Sequence, residues 1–135
     1  TNKVKFAVKL FDFIHSVDSK KLAKKIADEQ IKINKKVKIF IQVNIGNEDQ
    51  KSGATKNEIN ELISYCKQLN LDLIGLMCIP PANSDTQKYF EEMSLINKDF
   101  SFKELSMGMS SDYLQASENS ATYLRIGSSI FGERF

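Results

Sequence analysis

The sequence predicts an α/β fold on a parallel sheet, and three observations carry that prediction. Apolar residues switch repeatedly between a period of two and a period near 3.6, the marks of strand and helix. The stretch between successive strands is always long enough for a crossover, which parallel pairing requires. The run at residues 71–79 is nearly continuously apolar and that at 37–44 is rich in β-branched residues with little polar relief, as in a sheet covered on both faces. With 135 residues, 41% of them hydrophobic and 27% charged, the chain has the make-up of one ordinary globular domain. A complete (β/α)8 barrel takes about 250 residues, so the fold is either small or part of something larger.

Residues 11–17 (FDFIHSV) alternate weakly and read as the first strand, with Asp18 placed to cap the helix that follows. Leu22, Ala23, Ile26, Ala27, Ile31 and Ile33 fall on one helical face with lysines opposite, and that helix ends near Asn34. Residues 37–44 (VKIFIQVN) are rich in β-branched side chains and read as a central strand. The polar loop 45–54 (IGNEDQKSGA) exceeds the roughly two to six residues usual between strand and helix, a length that points to function. Thr55 and Glu58 form a Thr-x-x-Glu capping box before a helix with apolar positions Ile59, Leu62, Ile63, Cys66 and Leu69. Strand 71–79 stops at Pro80 and Pro81, because proline lacks the N–H a ladder needs. Ser84 with Gln87 makes a second capping box, and Phe90, Met93 and Ile96 or Asn97 carry a third helix to about Asp99. Residues 102–107 (FKELSM) make a short strand, 111–117 a short helix and 122–126 the last strand; 130–135 can start one helical turn.

The order is therefore β-α-β-α-β-α-β-α-β, five parallel strands joined by right-handed crossovers. Binding groups in such folds gather at the C-terminal ends of the strands, where the loops share one crevice. Here those ends carry Ser16 and Asp18, Asn44, Met77 to Pro80, Ser106 to Ser110, and Arg125 to Ser129.

The net charge of +2 is unevenly spread, +7 over residues 1–38 and −5 over the rest. The early lysines alternate with a helical apolar pattern and lack interleaved arginines or stacking aromatics, which describes a solvated helix face rather than a nucleic-acid surface. Cys66 and Cys78 sit within apolar patterns with no C-x-x-C motif, which suits a reducing, cytoplasmic setting. One histidine precludes a His-rich metal site, and no metal is expected. No apolar run approaches the ~20 residues a bilayer needs and no signal peptide opens the chain, so neither membrane nor export is expected. The chain opens on Thr1 rather than Met, as expected of a processed product or a fragment.

Two strand ends hold the chemistry. Residues 105–110 (LSMGMS) combine a serine hydroxyl, a glycine that lets backbone approach a ligand, and another hydroxyl at a helix start, a set suited to an anion or to plain turn and capping chemistry. Residues 125–129 (RIGSS) add a guanidinium on a strand and a small-residue turn whose successive N–H groups can form a phosphate nest. A structural ion pair with a carboxylate is the competing role for Arg125.

Six stretches carry a more specific resemblance: HSVDS (15–19), IQVN (41–44), KSG (51–53), GLMCIPP (75–81), LSMGMSSD (105–112) and RIGSSIFGER (125–134). In order and spacing the chain resembles the pyridoxal phosphate homeostasis protein family, also called the YggS or proline-synthetase co-transcribed family, which is related to the N-terminal barrel domain of alanine racemases. The resemblance implies a (β/α)8 barrel with pyridoxal 5'-phosphate at its C-terminal mouth, in proteins that bind, carry or buffer the cofactor without established turnover. By similarity, Ser106 and the backbone of Gly127 and Ser128 hold the phosphate, Arg125 faces the pyridine nitrogen and Met77 lies near the ring. Lys51 resembles a lysine of the family's KSG loop. Packing for Met77 and solvation for Lys51 are the simpler roles.

The chain departs from the family pattern at its start. The family's first-strand VAVSK-like segment with the cofactor-linking lysine, its FGENYVQE-like second segment and its GPLQ-like third are not present. The chain thus resembles the last three fifths of a family member, strands four to eight of the barrel, as one α/β domain over residues 1–135. Covalent attachment of the cofactor is then not expected unless another lysine substitutes. Five strands without closure are expected to leave two raw edges and an exposed inner face of Phe, Ile and Val, and so to associate with a second copy or a missing N-terminal segment. Two alternatives compete with cofactor binding: a fragment of an amino-acid racemase, with Tyr113 or Tyr123 as base, and an assembly remnant that binds nothing.

Overall fold

The computed structural model describes residues 2–48, 52–81, 84–109 and 112–125. They run α1 (Asn2–Leu10), β1 (Phe13–Val17), α2 (Lys20–Ile33), β2 (Lys38–Val43), α3 (Ile59–Gln68), β3 (Asp72–Cys78), α4 (Thr86–Asp99), β4 (Glu104–Met109), α5 (Tyr113–Glu118) and β5 (Tyr123–Arg125). Every strand pairs in parallel with the next in sequence, in the order β1-β2-β3-β4-β5. The expected alternation is therefore present, with β1 and β5 at the edges.

Helix α1 was not expected, because its apolar signal is short and interrupted by Lys3, Lys5 and Lys9. It forms because Val8, fully buried, and Val4 pack into the core, and because Lys35 Nζ donates to the carbonyls of Lys9 and Phe11 at its end, at 3.1 and 2.8 Å. Strand β1 accordingly starts at Phe13 rather than at Phe11. The cap of α2 is Ser19, not Asp18: the helix begins one residue later, and the Ser19 hydroxyl accepts from the Leu22 N–H at 3.1 Å. Asp18 instead accepts from the Gly53 N–H at 3.1 Å, tying the loop after β2 to the end of β1. Asn34 ends α2 in the left-handed region at φ 51°.

Of the two capping boxes, the first forms on one side. The Glu58 carboxylate accepts from the Thr55 N–H at 2.8 Å and from its hydroxyl at 3.0 Å, which lowers the Glu58 pKa, while α3 itself starts at Ile59. The second does not form. Helix α4 starts at Thr86, too late for Ser84 to cap it; the Ser84 hydroxyl donates to the Pro81 carbonyl and Gln87 donates to Glu91.

The helix-facing side of the sheet is the core. Ile39, Ile41, Val43, Leu76, Cys78, Leu105 and Met107 form one buried cluster with Ala23, Ile26, Leu62, Ile63, Phe90 and Met93. Asn97 of α4 is the polar exception, and every part of its amide is used. Its Oδ1 accepts from the Leu76 N–H at 3.0 Å, and its Nδ2 donates to the Glu104 carbonyl at 2.9 Å and the Phe102 carbonyl at 3.4 Å. It bridges β3 and β4 where their ladder begins, at Gly75 opposite Glu104.

The other face is concave, and here the expectation of an exposed inner surface fails. Phe40 on β2 is fully buried. Its ring stacks on His15 of β1 at 4.4 Å and meets Tyr123 of β5 edge-on at 5.2 Å. Phe13 of β1 and Tyr123 lie 5.3 Å apart. Side chains of the two edge strands thus touch, so the sheet curls into a partial barrel filled by its own rings. Register shifts interrupt the β1–β2, β2–β3 and β4–β5 pairings, and shifts of this kind sharpen local twist and bend.

Candidate functional site

Parallel register sets the site. Partners on adjacent strands share a face, and Gln42, Met77, Ser106 and Tyr123 are successive partners across β2, β3, β4 and β5. They form one row on the concave face. The row below is Phe40, Gly75 and Glu104. Gly75 makes room for this packing, since a Cβ there would stand 2.0 Å from the Glu104 carbonyl oxygen and 3.3 Å from the Phe40 ring.

Ser106 is fully buried, and its Oγ lies 2.7 Å from His15 Nδ1. The histidine reaches it from β1 because a shift between Ile14 and Val17 leaves one extra residue opposite β2. The Tyr123 hydroxyl donates to the Glu104 carboxylate, and its pKa is raised, first by desolvation, then by the Glu104 charge and this hydrogen bond. Lys38 on β2 lies over the Phe13 ring, 5.5 Å from its centroid.

At the strand ends, Gly108 takes φ 103° beside the shift between Ser106 and Met109, a conformation open to glycine and strained for other residues. The next amide, Met109 N–H, donates to Asp112 Oδ1 at 2.6 Å. Burial, and secondarily the Asp112 charge, pushes the Cys78 thiol up to about 12. Asn44 holds its own loop, donating to the Glu48 carbonyl at 2.6 Å and accepting the Glu48 N–H at 3.1 Å. Among the described residues, no three His, Cys, Asp or Glu side chains are grouped to hold a metal.

Of the residues singled out in the sequence, Met77 and Ser106 are therefore neighbours on one row, both buried. Arg125 enters by its backbone, paired with Met109 at the end of β4. Gly127, Ser128 and Lys51 lie outside the described residues. His15, Phe40, Glu104 and Tyr123 were not singled out together. The available signal was the alternation Phe13–His15, which puts the single histidine on the same face as the aromatic residues.

The family model for the alanine racemase N-terminal domain matches residues 1–135. The chain belongs to this family. It is 38% identical over 144 residues to the pyridoxal phosphate homeostasis protein of Aquifex aeolicus, covering 99% of this chain and 63% of the relative. It is 37% identical over 143 residues to the protein of the same name from Vibrio alginolyticus, covering 99% and 61%. PipY of Synechococcus elongatus PCC7942, solved without PLP, superposes with a TM-score of 0.88 at 31% identity, over 98% of this chain and 66% of PipY. PipY with PLP bound superposes at 0.87, also at 31% identity, over 97% and 66%. The resemblance read from the six motifs is borne out, and so is the fold, a parallel-stranded part of a barrel. The chain spans less than two thirds of the length of these curated relatives.

Proposed function

We propose that this chain is the C-terminal part of a barrel that binds pyridoxal 5'-phosphate and serves vitamin B6 homeostasis rather than turnover. The observation that carries the reading is the pairing of β4 and β5, which sets Ser106 beside Tyr123 and the end of β4 beside Arg125 on a fold matched by PLP-bound PipY. The donor set fits a phosphate ester. Ser106 offers a hydroxyl on the concave face, and Gly108 opens the backbone at the rim. The Met109 amide is held by Asp112; the family resemblance assigns the phosphate to the backbone of Gly127 and Ser128 as well as to Ser106. By the same resemblance, Arg125 is the residue assigned to the pyridine nitrogen and Met77 the one assigned to the ring.

When bound, the cofactor supplies an electrophilic carbonyl on an electron-withdrawing ring. A guanidinium at the ring nitrogen cannot accept a proton, so it disfavours the protonated ring and weakens that withdrawal, which suits storage. The racemase alternative loses ground at Tyr123, whose hydroxyl donates to Glu104 and whose pKa is raised, first by desolvation and then by the Glu104 charge, the opposite of the shift a general base needs. The reading includes a cytoplasmic location; no helix among the described residues is long and apolar enough to cross a membrane. It also includes a partner, a second copy or a preceding segment, because β1 is an edge strand and Phe6 and Leu10 of α1 and Phe11 just before β1 are 56%, 66% and 57% exposed.

Titration with pyridoxal phosphate, followed by visible absorbance, borohydride trapping and mass mapping, tests the proposal. Saturable binding with no trapped lysine is expected; no spectral change overturns it, and turnover of free alanine favours the enzyme. Light scattering that finds a stable monomer counts against the partner.

A further inference from the structure

Ser106 has one hydrogen to give and two lone pairs to receive with. A phosphate ester dianion only accepts. If the hydroxyl serves such an anion, its hydrogen points at the phosphate oxygen, and His15 Nδ1, 2.7 Å away, must be the donor in their mutual bond. We propose that His15 is the positioning residue for Ser106, and that phosphate binding there selects the histidine form with its hydrogen on Nδ1. The inference rests on the concave face being a phosphate-ester site.

The geometry leaves the ring little freedom. It is stacked on Phe40 at 4.4 Å and 27°, and Tyr123 meets it edge-on at 5.8 Å and 75°. Its backbone is set by the register shift between Ile14 and Val17. The ring therefore cannot swing away when the hydroxyl is taken by a ligand, and the proton must rearrange instead. Among the described residues, the titratable or charged groups on the strands around it are Glu104, Tyr123 and Lys38, with Asp72 as the register partner of Lys38, Cys78 on the helix-facing side and Arg125 at the end of β5. The first two are bonded to one another and the third lies over the Phe13 ring. With His15 as acceptor, the Ser106 hydrogen is withheld from an anion; with His15 as donor, it is released to one.

The chain has a single histidine, so ring 15N–1H NMR reads this residue without overlap. The chain is titrated with pyridoxal 5'-phosphate and, separately, with pyridoxal, at about pH 8, where a free imidazole is neutral. Pyridoxal phosphate is expected to move Nδ1 to its protonated shift, and pyridoxal to leave it unchanged. H15A is expected to weaken pyridoxal phosphate about tenfold, the loss typical of a hydrogen bond serving a charged group, with pyridoxal affinity unchanged. H15F, which keeps a ring on Phe40, should show the same loss, and H15N, whose amide can donate from the Nδ1 position, should recover most of it. S106A/H15A should bind no more weakly than S106A. Equal weakening of both ligands, unaltered affinity in H15A and H15F, or an Nδ1 that stays unprotonated with ligand bound overturns the inference while leaving the cofactor site standing. Failure of the unsubstituted chain to bind pyridoxal phosphate overturns both.

Discussion

His15 Nδ1 and Ser106 Oγ are 2.7 Å apart although the residues are 91 positions apart in sequence and lie on β1 and β4, with β2 and β3 between them in the sheet. A flat sheet holds strands in that relation roughly 14 Å apart, three spacings of about 4.8 Å. The bond therefore measures the curl, and it makes the polar centre of the concave face a property of the folded sheet. Each residue that maintains the curl is testable.

Phe40→Ala removes the ring on which His15 stacks and against which Tyr123 packs. Urea denaturation is expected to show a loss of about 4 kcal/mol, typical for deleting a buried phenyl ring. A loss under ~1 kcal/mol contradicts this account of the interior.

Gly75→Ala drives a methyl to 2.0 Å from the Glu104 carbonyl, a backbone atom that cannot step aside without opening the β3–β4 ladder. About 3 kcal/mol of destabilisation is expected, at the upper end for overpacking. Hydrogen exchange at Leu105 and Ser106 should quicken.

Asn97→Ala leaves the Leu76 N–H and the Glu104 carbonyl without their buried partner. The expected cost is about 2 kcal/mol, with the Leu76 amide exchanging faster. Unchanged exchange there would show that the bridge is not needed.

Burial raises the thiols of Cys66 and Cys78 from an ordinary 9.0 to about 11 and about 12. Both should resist iodoacetamide in the native chain at pH 8 and react in urea. The linkage follows from the sign. The fold prefers the neutral thiols, so their contribution is complete below pH 9 and is lost as pH rises through 9 towards the raised values. Stability that increases over this range in the C66A/C78A-corrected difference runs against the assignment.

Tyr123 should ionise above the ordinary phenol range, and Glu104→Gln should bring it back down by removing the neighbouring charge. Ultraviolet titration reads the shift. Because the fold prefers the neutral phenol, this contribution too fades as the solution becomes more alkaline.

The reach of the sequence can be judged residue by residue. The Asn34 stop, the buried face Ile59, Leu62, Ile63 and Cys66, and the strand ended by Pro80 were legible because each depends on neighbours within one or two turns. Helix caps are different, because a one-residue offset changes which side chain can reach the first turn. Ser19 rather than Asp18 caps α2, and Ser84 stands too early to cap α4. Met77 and Ser106 each stand at a strand end in the sequence, but that they share a row depends on the register between β3 and β4.

By itself, then, the sequence determined the alternation of strand and helix, the parallel sheet, the family and the residues available for an anion, since periodicity and motif spacing are local properties of the chain. The tertiary structure decided that the inner face closes on its own rings, that Gly75 yields its space to the Glu104 carbonyl, and that His15 meets Ser106. Those outcomes depend on where the sheet shifts register and how far it curls, and both result from packing all five strands at once.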